Sequence, residues 1–152
     1  MFETLTFLHS VFRWLVLISL VLSIYTAYSG LIKNKPFSKG INSLRHWTAT
    51  IAHVQLILGI YMYMKSPTSL YFLHNTSEAS KHLEILFFGL IHPLLMLTAI
   101  ILITIGSALS KRKPSNTEKY KTLILWFGIG LAIILVAIPW PFSPFAHRPY
   151  FR

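Results

Sequence analysis

Arg45-His46-Trp47-Thr48-Ala49-Thr50-Ile51-Ala52-His53-Val54-Gln55-Leu56-Ile57-Leu58-Gly59-Ile60 is the stretch on which the reading of this chain turns. It belongs to a run long enough to cross a bilayer, for which about 20 mainly apolar residues are needed. Yet it carries His53 at its middle. An ionisable side chain at that depth is costly and by default marks a function. Further along, the apolar segment Leu83 to Leu109 carries His92 at a similar depth.

The whole composition supports a membrane reading. The 152 residues are 54% hydrophobic and 12% charged, with a mean hydropathy of +0.59. A soluble helical bundle is excluded by stretches such as Trp14 to Tyr28, which hold no charge, because surface helices need a polar face. The net charge of +10 does not point to nucleic acid, since most of it sits in loops between apolar spans. Cysteine is absent, which excludes thiolate metal sites, disulfides and a thioether-linked haem.

In order, the chain reads as one all-α domain of four spans, at about 5–32, 43–64, 81–110 and 120–138. The first is not expected to be a cleaved signal peptide, because Glu3 stands where a basic region belongs. Lys33, Lys35, Lys39 and Arg45 fill the first loop, and Lys111, Arg112, Lys113, Lys119 and Lys121 the third. The middle loop balances Lys65 and Lys81 against Glu78 and Glu84. The positive-inside rule then gives an integral membrane four-helix bundle with both termini outside. Asn75 followed by Glu78 reads as a capping box for the third helix. Gly128 and Ala132 read as a small-residue contact face on the fourth.

Counted from the outer ends at about 1.5 Å per residue, His53 lies ~16 Å deep and His92 ~12–16 Å. His9 lies only ~6 Å deep, and Arg13 ~12 Å. His53 and His92 are therefore expected to be level, and polar groups in lipid turn toward the bundle interior. Neutral imidazole suits iron, and helix-bundle cores hold such cofactors. His53 and His92 are thus the expected metal ligands, as axial partners of one b-type haem between the second and third helices. His46 and Thr50 share the His53 stripe and join the cofactor candidates, Thr50 as a hydrogen-bond partner for an imidazole. His46 beside Trp47 also suits the membrane interface.

Pro93 removes an N–H that would have served the Gly89 carbonyl, so a kink is expected there, and Gly89 would leave room for a flat macrocycle. Arg13 has no deep carboxylate to pair with, so a bound anion such as a propionate is expected, with Arg148 of the tail folding back to it. His9 is expected beside Arg13 on the outer side of the cofactor. His74, Glu78 and His82 stand at spacings of four and form a weaker candidate metal patch.

Leu8-His9-Ser10-Val11-Phe12-Arg13-Trp14, Arg45-His46-Trp47 with His53, His92, Ile138-Pro139-Trp140-Pro141-Phe142 and Arg148-Pro149-Tyr150 together resemble the small four-span bacterial membrane proteins of the cytochrome-b-like kind. The resemblance covers essentially the whole chain and implies a non-covalent haem b with histidine ligands, in a bacterial inner membrane. An electron-transfer protein is expected rather than a stand-alone enzyme, and a quinone or redox partner is compatible with it. The competing expectation is a cofactor-free accessory subunit of a larger membrane complex. A transporter is disfavoured, because Glu3, Glu78, Glu84 and Glu118 all lie outside the depths of the spans.

Overall fold

A computed structural model describes residues 2–146 and 148–150. Four long helices dominate: α1 (Phe2–Ile32), α2 (Lys39–Lys65), α6 (His92–Arg112) and α7 (Asn116–Ala137). Between α2 and α6 lie three short helices, α3 (Pro67–His74), α4 (Thr76–Ala79) and α5 (Leu83–Leu86), followed by a π turn at Phe87–Ile91. α1 packs on α2 and on α7, α7 packs on α6, and α6 closes the ring against α2. Three stretches, Glu3–Ile32, Leu83–Arg112 and Asn116–Ala137, are long and apolar enough to cross a membrane. α2 matches them in length at 27 residues, about 40 Å. Its interior is diluted by Arg45, His46, Thr48, Thr50, His53 and Gln55.

The helix ends follow local chemistry. α1 stops in a 6→1 arrangement, with Lys35 N–H bonded to Gly30 O at 2.9 Å and Asn34 at a left-handed φ of 48°. Asparagine tolerates that conformation better than most residues. Ser38 caps α2 by accepting from Ile41 N–H. The capping box expected at Asn75 is instead found at Ser115 and Glu118, which open α7 reciprocally. Asn75 closes α3, where its Nδ2 donates to Tyr71 O at 3.3 Å, and makes no side-chain cap for α4, a single turn that ends before Ser80.

The buried core runs through Leu20, Ala27, Ala52, Ala99, Ile103, Leu123 and Phe127. Two glycines set how closely α6 and α7 approach. A Cβ on Gly106 would stand 2.2 Å from Trp126 Cβ, and one on Gly130 would stand 2.7 Å from Ile103 Cγ1. The contact face expected at Gly128 and Ala132 is thereby corrected: Gly128 has nothing within 4 Å of such an atom, and Ala132 is exposed. The face is rotated away because Gly130, two residues on, carries the approach.

Arg45 is another correction. Counted among the loop cations, it is only 5% exposed. Its guanidinium donates to Ser107 O at 2.8 Å, to Ser107 Oγ, and to Asn42 Oδ1 at 3.0 and 3.2 Å. Backbone and amide oxygens thus satisfy a buried charge without a carboxylate, and the group ties α2 to α6.

Candidate functional site

Prolines shape the end of the bundle opposite the basic loops. Each removes the N–H that would serve a carbonyl four residues back, and a carbonyl buried among apolar helices needs a substitute. At Pro93 the helix widens into the π turn, where His92 N–H reaches back to Phe87 O, and Tyr63 Oη donates to the stranded Gly89 O at 2.8 Å. At Pro139 the stranded carbonyl is that of Leu135, and Trp140 Nε1–H meets it at 2.8 Å. At Pro141 it is Ala137 O, and His92 Nδ1–H donates to it at 2.7 Å. We expect Tyr63→Phe to orphan Gly89 O and to cost about 1–3 kcal/mol, read as a lowered thermal midpoint with helix content unchanged.

That last bond decides what His92 can do. A carbonyl only accepts, so Nδ1 carries the proton and Nε2 keeps its lone pair. This is the orientation that outer-shell bonds impose on ligating imidazoles. The ring is half-buried, with its centroid 5.7 Å from that of Phe87, which stacks in turn on Phe145.

His9 reaches the same place from α1. Gln55 Nε2 of α2 donates to His9 O at 3.0 Å and lies 3.3 Å from His9 Nε2. Gly59, one turn further along α2, leaves space for the ring, since a Cβ there would touch His9 Cε1 at 3.4 Å. His9, His92 and Arg13 lie within one another's electrostatic reach. Three buried polar atoms here have no partner: His9 Nδ1, Arg13 Nε and Gln55 Oε1. A buried group without a partner is a standing cost that a ligand relieves. α1, α2 and α6 supply the side chains, and α7 supplies the carbonyl that orients His92.

His53 is not part of this cluster. It lies exposed on the outside of the bundle, where its Nε2–H donates to Thr104 Oγ1 at 2.9 Å. The direction is fixed because the Thr104 hydroxyl proton is given to Ile100 O at 2.7 Å. His53 thus stands opposite a residue twelve positions past His92 on α6, about 18 Å along the helix. The equal depth expected of His53 and His92 is corrected: the widened π turn and the extra helices α3 to α5 shift the register between α2 and α6. Two imidazole nitrogens on one metal lie about 4 Å apart, at bonds of about 2 Å each. One iron does not fit between His53 and His92.

The remaining candidates separate in the same way. His46 is exposed beside Trp47, whose ring centroid is 6.1 Å away, near the start of α2. Thr50 donates to His46 O at 3.1 Å, so its hydroxyl serves its own helix and no imidazole. The space at Gly89 is taken by Phe72 of α3, whose Cγ would lie 2.3 Å from a Cβ there, so it admits a side chain and no macrocycle. Arg148 pairs with Glu84 and lies over the Phe88 ring at 4.8 Å. Arg13 does meet the folded-back tail, but through the carbonyl of Tyr150, which its guanidinium and Trp14 Nε1 both approach. Glu78 pairs with Lys81 at 2.6 Å, and no group of three or more metal-ligating residues forms among the described residues.

Sequence reasoning missed Gln55 and Tyr63. Gln55 had a visible signal, as the amide in the most apolar half of α2. Tyr63 had none, since its role exists only because Pro93 strands a carbonyl on another helix. Comparison of the chain with protein-family models, with curated proteins and with solved structures gives no match.

Proposed function

We propose that this chain is a four-span membrane electron carrier that binds a non-covalent b-type haem at the His9, Arg13, Gln55 and His92 cluster. The observation that carries the reading is the uncommitted chemistry of that cluster. Among the described residues His9 Nδ1 and Arg13 Nε have no hydrogen-bond partner, and His92, its Nδ1–H given to Ala137 O, keeps a lone pair on Nε2. With no carboxylate among the four, the cluster suits a cofactor that brings its own acids, and Arg13 is the residue to hold a propionate. His92 would hold such a haem, with His9 and Arg13 beside it, and the group would supply one-electron transfer there. Ala137 O holds the His92 tautomer, Gln55 holds His9, and Phe87 and Phe145 keep water out. His9 stays beside Arg13 at the edge of the site, because Gln55 Nε2 can only donate to its Nε2 and so leaves the ring proton on Nδ1, and His53 leaves the site.

The membrane placement belongs to the same proposal. α2 crosses with the other three long helices, shielded by its contacts to α1 and α6. Loops 33–38 and 113–115 face the cytoplasm, and α3 to α5 and the tail face outward. Reporter fusions after Lys39 and Pro114 should report cytoplasm, and one near Ser69 the outside; the inverse pattern contradicts this orientation.

The test is an absorption spectrum of the purified protein, oxidised and then reduced with dithionite. A low-spin haem b spectrum is expected, and Arg13→Gln should weaken cofactor retention without removing it. A wild type that is folded yet colourless, even when expressed with excess haem, overturns the reading in favour of an accessory subunit.

A further inference from the structure

At the opposite end of the molecule, the ends of α2, α6 and α7 border an open cavity of about 260 Å³ lined by Phe37, Ser38, Lys39, Asn42, Lys111 and Lys119. Its three lysines come from three different helices or their ends, and no carboxylate is among the lining residues. The nearest acid, Glu118, is turned away into its capping box with Ser115. The wall is built firmly. The Phe37 ring packs on Tyr120 with centroids 5.1 Å apart, its N–H bonds Asn116 Oδ1 at 3.2 Å, and Tyr120 Oη donates to Pro36 O at 3.1 Å. Lys119 Nζ lies over the Phe37 ring at 5.7 Å, which holds that ammonium in place at the cavity. Ser38 Oγ accepts from Ile41 N–H. The amides of Lys39 and Gly40 in the first turn of α2 have no intrahelical acceptor. Across the strut formed by Phe37 and Asn116, a second cavity of about 330 Å³ adds Lys35.

We propose that this cavity binds a phosphate-bearing anion, supplied by the headgroup of an acidic phospholipid. Three ammonium groups, one of them held over the Phe37 ring, face this space with no carboxylate among its lining residues, and a tetrahedral phosphate accepts from lysines and helix-start amides together. The lipid source follows from position. The cavity opens where the apolar stretches Glu3–Ile32, Leu83–Arg112 and Asn116–Ala137 have their ends, the level at which headgroups lie. The inference is independent of any cofactor at the other end of the bundle.

The experiment uses the full chain, delipidated in a neutral detergent and titrated with phosphatidylglycerol, with phosphatidylcholine of the same chain length, and with sodium phosphate. Bound lipid is read by native mass spectrometry and affinity by the shift in thermal midpoint. We expect phosphatidylglycerol to bind more tightly than phosphatidylcholine. Its affinity should fall roughly tenfold or more in the K39Q/K111Q variant, at about 1 kcal/mol per lysine lost. The K33Q/K121Q variant removes the same charge from the same end outside the cavity and should lose much less. Phosphate alone, binding with the same dependence on Lys39 and Lys111, supports the site and moves its source to a soluble anion. Equal losses in the two variants, or no preference over phosphatidylcholine, overturn the proposal. Helix content is checked for both, and K119Q replaces the double variant if that one does not fold.

Discussion

Replacing His92 with alanine is expected to abolish the low-spin haem spectrum, while His53→Ala leaves it intact. The difference comes from hydrogen-bond direction. His92 Nδ1–H is committed to Ala137 O, which leaves the lone pair on Nε2. His53 Nε2–H is committed to Thr104 on the outside of the bundle. His9→Ala should weaken cofactor retention without removing the spectrum, because its Nδ1–H is a buried donor with no partner among the described residues. His92→Ala carries a second effect that needs no cofactor. It leaves Ala137 O with neither Pro141 nor an imidazole to donate to it, at a cost of about 1–3 kcal/mol. Measured on cofactor-free protein, that loss should lower the thermal midpoint. Loss of the spectrum in His53→Ala with retention in His92→Ala would reverse the ligand assignment.

Gly106→Leu is expected to be the most damaging substitution in the core. The first added carbon already stands 2.2 Å from Trp126 Cβ, and Trp126 Cα is 3.6 Å away, so α7 itself must move. Overpacking of this kind typically costs about 1–3 kcal/mol, and a shift of a whole helix belongs at the upper end. Gly128→Ala is the control. Nothing lies within 4 Å of its added carbon, so the better helix propensity of alanine should leave stability unchanged or raise it by up to about 1 kcal/mol. Thermal unfolding in one detergent would compare the two directly. Equal effects at both positions would mean that α6 and α7 meet on a different face.

Pro93 was the most informative residue in the sequence, and also the most misleading. The rule that proline strands a carbonyl predicts trouble at Gly89 and is met by the π turn over Phe87–Ile91. The same rule could not say that Tyr63 would repair it, nor that Phe72 would fill the space beside Gly89, because both reach the position from other elements. Arg45 shows the same limit. By count it belonged with the loop cations, and only the placement of Ser107 on α6 turned it into a buried tie. The capping pattern was present twice, at Asn75 and Ser115. Only the one followed by a long helix became a box, since a single turn offers too few amides to reward it.

By itself, then, the sequence determined the properties that depend on near neighbours along the chain. These are the all-helical class, the positions of the long apolar segments to within a few residues, and the basic ends of the bundle. Each follows from local hydropathy, from proline and glycine, and from charge order, none of which needs a partner helix. Tertiary structure alone decided which histidines meet. Depth along one helix is counted from its own end, whereas the register between helices is set by what separates them. Here α3, α4, α5 and the π turn displace α6 relative to α2. That displacement leaves His53 beside Thr104 on the outer face and His92 within electrostatic reach of His9.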